Sequence, residues 1–125
     1  MSNIEANKKL EERTLTFAVG IVRLVGGFGR SEAGMVLARQ LVKSGTAIGA
    51  NYREANRAES REDFVHKTAI VLKEASETDF WLELCTRVEL GDSAQQAILG
   101  QEARELLAIF TTINRNARNR VGGRT

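Results

Sequence analysis

Apolar residues recur at helical intervals along almost the whole chain. In the first segment Leu10, Phe17, Ile21, Leu24 and Phe28 follow one another at gaps of 7, 4, 3 and 4, which places them on one helix face. The pattern halts at "GGFG", residues 26 to 29, because consecutive glycines are poor helix interior and good terminators. Ser31 then offers an N-cap. Gly34, Ala38, Leu41, Gly45, Ile48, Tyr52 and Ala55 recur at gaps of 4, 3, 4, 3, 4 and 3, a heptad-like stripe in which most members are small. Glycine inside a helix costs about 1 kcal/mol relative to alanine. Gly45 and Gly49 therefore imply a compensating gain, and close approach of a neighbouring backbone is the natural one.

A third segment opens at Ser60. The run Ser60, Arg61, Glu62, Asp63 reads as a capping box, with the serine oxygen accepting from the backbone N–H three residues on and the acidic side chain reaching back. Phe64, Val65, Ala69, Leu72 and Ala75 supply one apolar face. Ile70, Trp81, Leu84 and Val88 do not share that narrow stripe, so they form a second face, either buried broadly within the same bundle or covered by self-association. Gly91 ends the segment. Asp92 and Ser93 start a fourth, whose stripe Leu99, Ala103, Leu106, Phe110, Ile113 and Ala117 has gaps of 4, 3, 4, 3 and 4. Four helices joined by short connections must turn back on one another. The expected fold is all-α: a single antiparallel up-down-up-down four-helix bundle over residues 1–125, with a short flexible N-terminus and a basic C-terminal tail from about residue 118 to 125.

Composition agrees with helices. The 125 residues include no proline, so nothing interrupts a long helix, and 42% hydrophobic with 27% charged content is that of a globular protein with a core of its own. The single cysteine, Cys85, can form no internal disulfide, which fits a reducing cytoplasm. "MSNIEANKKLEER" has no apolar signal core, and no stretch approaches the roughly 18 apolar residues needed to span a bilayer. The chain is expected to be neither exported nor membrane-spanning.

The net charge is only +2, and the imbalance is local. Arg115, Arg118, Arg120 and Arg124 crowd the C-terminus without an acidic residue, either as a solvated tail or as a phosphate-contacting arm. Arg53, Arg57 and Arg61 are spaced four apart, which on one continuous helix would stack like charges. Either the helix breaks near residues 58 to 60, as the cap at Ser60 suggests, or these arginines face partners outside their own helix. The rim so formed is a solvated helix end, a set of oligomer salt bridges or a phosphate-facing surface.

Candidate catalytic chemistry is thin. Asp63 and His66 make a D-x-x-H pair on one turn, but di-metal bundles need two such motifs and the chain has one histidine. Glu74 and Glu77 lie one turn apart beside Lys73, the common appearance of a helix surface rather than of an acid–base pair. Cys85 has no basic neighbour in sequence to activate it. "GGFG" lacks the Gly-Lys-Ser/Thr of a phosphate-binding loop. No catalytic residue, metal or cofactor is expected.

"LARQLVKSGTAIGANYREA", followed by "SREDFVHKTAIVLKEASETDFWLELC", resembles the 23S rRNA intervening-sequence proteins, over about residues 15 to 115. The markers are Gln40-Leu41, then Ile48-Gly49-Ala50-Asn51, Glu54, Phe64, and Leu72, Glu74, Glu77 and Thr78 on the next helix. The resemblance implies a four-helix bundle assembled as a ring-like homopentamer, without enzymatic activity or cofactor, and kinship with the accessory variability proteins of diversity-generating retroelements, which bind reverse transcriptase and nucleic acid. It also implies that Asn51, Glu54, Glu74 and Glu77 are structural hydrogen-bonding residues at a helix interface. Where the family pattern has paired arginines after Gln-Leu, this chain has Val42-Lys43, one positive charge fewer.

The expected function is that of a non-enzymatic oligomeric binding or scaffold protein. Its partners would be copies of itself together with RNA, DNA or a nucleic-acid-handling protein such as a reverse transcriptase, contacted through Arg53, Arg57, Arg61, Arg115, Arg118, Arg120 and Arg124. A structural oligomer that binds another protein, with no nucleic acid role, is the alternative.

Overall fold

A computed structural model describes residues 2–122. Its four helices are α1 (Ser2–Val25), α2 (Glu32–Ala55), α3 (Arg61–Arg87) and α4 (Ser93–Gly122), and no strand occurs among the described residues. Each helix packs on the next in sequence, and α4 returns to α1 over a shorter seam. Among the described residues the backbones of α1 and α3, and of α2 and α4, do not approach closely, although side chains meet across the core.

Caps set the boundaries where the sequence placed them. Ser31 Oγ accepts from the Gly34 N–H at 3.0 Å, Ser60 Oγ from Asp63 N–H at 3.0 Å, and Asp92 Oδ2 from Gln95 N–H at 2.9 Å. Each satisfies a donor that the first helical turn leaves free. The capping box differs in one detail: the Asp63 carboxylate accepts from the Glu59 N–H at 3.2 Å, one residue before the cap. Gly91 adopts φ +78° in the connection to α4, a conformation that disfavours side chains. A methyl group there would also meet Phe28 Cε1 at 2.9 Å.

The core takes Phe17, Ile21 and Leu24 from α1, Leu41, Ile48 and Tyr52 from α2, and Leu99, Leu106 and Phe110 from α4, all as the periodicities predicted. The small stripe of α2 does what its glycines implied. A Cβ on Gly49 would lie 2.9 Å from Thr14 Oγ1, and one on Gly45 would lie 3.0 Å from Ile21 Cγ1, so α1 rides directly on the α2 backbone. Tyr52 donates to Asn7 Oδ1 at 3.3 Å at the far end of the same contact.

On α3 the apolar face differs from the expected one. Ala69 is exposed and Val65 and Leu72 are only half-buried. The buried stripe is instead Thr68, Val71, Ala75, Thr78, Leu82 and Cys85. Two of its members are threonines, which hydropathy counts as polar. Their hydroxyls donate to carbonyls of the same helix, Thr68 to Phe64 at 2.9 Å and Thr78 to Glu74 at 2.7 Å, which removes the cost of burying them. Asn114 of α4 is buried against this face and donates to Val65 O at 3.1 Å and Thr68 Oγ1 at 3.0 Å.

The chain ends are also more helical than expected. α1 begins at Ser2, and α4 continues to Gly122, so residues 118 to 122 form helix rather than tail. No proline or glycine occurs between Gln101 and Val121 to interrupt it. Arg124 lies outside the described residues.

Trp81 packs against the core with its indole N–H buried and without a partner among the described residues. An orphaned buried donor costs about 1–3 kcal/mol. Trp81→Phe removes the donor along with some packing, so its stability in urea denaturation should stay within about 1 kcal/mol of the parent. A loss above about 2 kcal/mol would mean that the indole is hydrogen-bonded after all.

Candidate nucleic-acid interface

The connection between α2 and α3 is built by short-range bonds. Asn56 N–H donates to Tyr52 O, Arg57 N–H to Glu54 O and Ala58 N–H to Ala55 O, each at 3.0 Å. The Asn56 side chain donates to Glu11 Oε2 at 2.8 Å, tying the end of α2 to α1. The helix thus ends before residue 60, and Arg57 and Arg61 belong to different elements.

This connection forms one wall of a groove of about 690 Å³. Asn3 and Asn7 of α1, Asn56, Glu59, Ser60, Arg61 and Phe64 around the connection, and Asn116 and Arg120 of α4 are among the residues that line it. Two of the seven proposed arginines, Arg61 and Arg120, are therefore brought to one groove from opposite ends of the sequence. Asparagine amides and a half-buried phenyl ring lie beside them. Such a lining can offer cations and amide donors to phosphates, amide donors and acceptors to base edges, and an aromatic ring to a base.

The other arginines have different surroundings. Arg53 Nε lies 3.6 Å from Glu11 Oε1, and Arg57 donates to Arg53 O at 3.1 Å. Both sit at the C-terminal end of α2, where cations complement the helix dipole, so a structural role accounts for them. Arg115 and Arg118 are exposed on α4 and do not line the groove. Among the described residues no carboxylate forms an ion pair with Arg57, Arg61, Arg115, Arg118 or Arg120.

The four polar residues that the resemblance singled out are placed less centrally than it implied. Asn51 donates to Ala47 O of its own helix at 2.8 Å. Glu54 reaches across to Lys67 of α3, at 4.0 Å. Glu74 is half-buried and Glu77 exposed, and neither side chain bonds another helix among the described residues. One set of bonds between helices involves residues the sequence did not flag. Arg13 grips Glu102 through two bonds of 2.6 and 2.8 Å and reaches Glu105 at 2.8 Å, linking α1 to α4. Those contacts, led by the hydrogen bond to Glu102, raise the Arg13 pKa above its ordinary value. The Glu105 carboxyl is lowered, first by the hydrogen bond from Gln101 and then by Arg13.

The α3 face reserved for self-association is partly covered. Ile70, Trp81 and Leu84 are half-buried, Val88 is exposed, and Phe80, unmarked in sequence, is 58% exposed with its ring 5.0 Å from that of Trp81. A second apolar surface lies between α1 and α2, where Leu15, Val19 and Val22 are exposed beside Ala50. Their spacing of 4 and 3 would have shown them as a stripe had α1 been read for two faces.

No converging catalytic set emerges at either surface. Among the described residues no three His, Cys, Asp or Glu side chains cluster for a metal, and Asp63 is engaged by its cap and by Lys67 at 3.7 Å. Burial pushes the Cys85 thiol pKa up, away from reactivity. Among the described residues no helix is long and apolar enough to cross a membrane.

Fold and surface together define an all-α four-helix protein with an asparagine-lined groove that carries Arg61, Arg120 and Glu59. The chain belongs to the family of 23S rRNA-intervening sequence proteins, which it matches over residues 7–112. It is also similar to a solved protein of unknown function from the S23 ribosomal protein family of Bacteroides thetaiotaomicron. The two are 38% identical, with a TM-score of 0.78 over 87% of this chain and 97% of that one. No curated protein matches the chain.

Proposed function

We propose that the protein is a non-enzymatic, oligomeric binding protein of the cytoplasm whose groove at Arg61 and Arg120 receives single-stranded RNA or DNA. The observation that carries this reading is the convergence in one groove of four asparagines, Phe64 and two arginines that have no carboxylate partner among the described residues. The proposed architecture is an up-down-up-down bundle. It is supported by contacts that climb α1 as they descend α2: Asn7 with Tyr52, Thr14 with Gly49, and Ile21 with Gly45. The proposed assembly is a ring-like homopentamer. Five chains of +2 would carry +10, and polyanion affinity rises with the number of phosphates neutralised.

Fluorescence anisotropy of a labelled single-stranded RNA tests the reading. Binding should be measurable at about 50 mM salt and fall steeply by about 200 mM. Arg61→Gln with Arg120→Gln should weaken it and flatten the salt slope, whereas Arg30→Gln, exposed in the connection between α1 and α2, should change it far less. Absence of salt-dependent binding to RNA and DNA would overturn the reading. A structural oligomer that recognises a protein instead is the second reading, favoured by exposed apolar side chains such as Ile98, 69% exposed on α4.

A further inference from the structure

The groove that holds Arg61 and Arg120 also holds a carboxylate. Glu59 lines it from the connection between α2 and α3, and its side chain is exposed. The backbone there is held in place: the Glu59 N–H donates to Asp63 Oδ2 at 3.2 Å, and Ser60 beyond it is extended, at φ −152° and ψ 169°. The carboxylate itself forms no ion pair among the described residues, with Arg61, with Arg120 or with any other cation.

A negative charge in a groove that receives phosphates opposes binding unless it meets donors on the ligand. An ionised carboxylate is an acceptor only, with two oxygens to satisfy. Of the four RNA bases, guanine alone presents two adjacent donors on its Watson–Crick edge, N1–H and the N2 amino group, spaced to meet both oxygens of one carboxylate. Adenine and cytosine present one amino group beside an acceptor nitrogen, and uracil presents one N–H between two carbonyl oxygens. Each of these sets an acceptor against the carboxylate, which repels it.

The rest of the groove suits the other parts of a nucleotide. Phe64, Ile113 and Ala117, all half-buried, give an apolar wall on which a base can lie, and the two arginines supply cations for phosphate. At about 690 Å³ the groove falls within the range of small-ligand sites, about 300–1,000 Å³, which leaves room for an unpaired nucleotide.

We propose that Glu59 makes this groove selective for guanine in single-stranded RNA. The carboxylate accepts from guanine N1–H and N2–H while the base lies on Phe64 and a neighbouring phosphate meets Arg61 or Arg120. The inference rests on the nucleic-acid reading above and adds to it a base and the residue that reads it.

Fluorescence anisotropy at about 50 mM salt tests the proposal, with labelled oligouridines that differ only in one central base. The oligomer with guanine should bind about tenfold more tightly than the one with adenine or the all-uridine one, the scale of discrimination from a bidentate contact. Hypoxanthine, which keeps N1–H and lacks the amino group, should fall between them. Glu59→Gln leaves one acceptor oxygen, so the preference for guanine should shrink to within about twofold. The all-uridine oligomer should then bind as well or better, because a negative charge has left the groove. Glu59 is exposed and its side chain pairs with no cation, so circular dichroism should show the helices of the variant intact. Equal, salt-dependent binding of every oligomer by the wild type, or a guanine preference that survives Glu59→Gln, would overturn the assignment and leave the nucleic-acid reading standing. Binding of none of them would overturn both.

Discussion

Phe110→Ala should lower the unfolding free energy by about 3–5 kcal/mol, the range for emptying a fully buried aromatic site. Phe110 is completely buried in α4, and its ring meets that of Tyr52 edge-on, with centroids 5.1 Å apart at 65°. The substitution therefore removes the transfer free energy of the ring and its aromatic contact, and leaves a cavity among residues of different helices. Domains of this kind have only about 5–15 kcal/mol in hand, so the variant should unfold at a markedly lower urea concentration, with its m-value kept if the transition remains two-state. A loss below about 1.5 kcal/mol would show that the helices close over the site far better than their packing suggests.

The second large effect concerns the glycines. Gly49→Val should cost about 3 kcal/mol, near the top of the usual range for overpacking. The added Cβ would lie 2.9 Å from Thr14 Oγ1 and 3.4 Å from the Thr14 carbonyl carbon, so rotating the threonine is not enough and α1 itself must move. Thr14 is fully buried, and its hydroxyl donates to Glu11 O at 2.9 Å, which leaves it little freedom. Gly49→Ala should be milder, because better helix propensity returns about 1 kcal/mol. Thermal and urea denaturation of both variants check this. A Gly49→Val protein as stable as its parent would mean that the helices do not approach as described.

The α2 stripe was legible because it obeys two rules at once: strict helical spacing, and glycine where alanine would be the better helix former. The cap at Ser60 was equally plain, and it resolved the clash of like charges by ending one helix before Arg61. The face of α3 was misread for a physical reason. Thr68 and Thr78 satisfy their hydroxyls on their own backbone, so two core positions look polar in sequence while Ala69, which is exposed, looks apolar.

The candidate site was legible only in part. Arg61 and Arg120 could be named as cations, but they are 59 positions apart and nothing local says that they share a groove with Asn3, Asn7, Asn56 and Asn116. Such convergence is a property of helix packing. Arg53 and Arg57, neighbours in the same run of charges, instead serve the end of α2.

The grip of Arg13 on Glu102 bears on how the chain finds its fold. The other three helix seams join elements that follow one another in sequence, so each can close over a connection of a few residues. The bonds of Arg13 to Glu102 and Glu105 span 89 and 92 positions. A free chain would pay the full entropy of so long a loop, but once the α1–α2, α2–α3 and α3–α4 seams exist, the two ends of that loop are already neighbours. Most native contacts are thus local in the chain, the topology associated with fast folding. The α1–α4 seam is then a latch on a structure whose course the three other seams have largely decided.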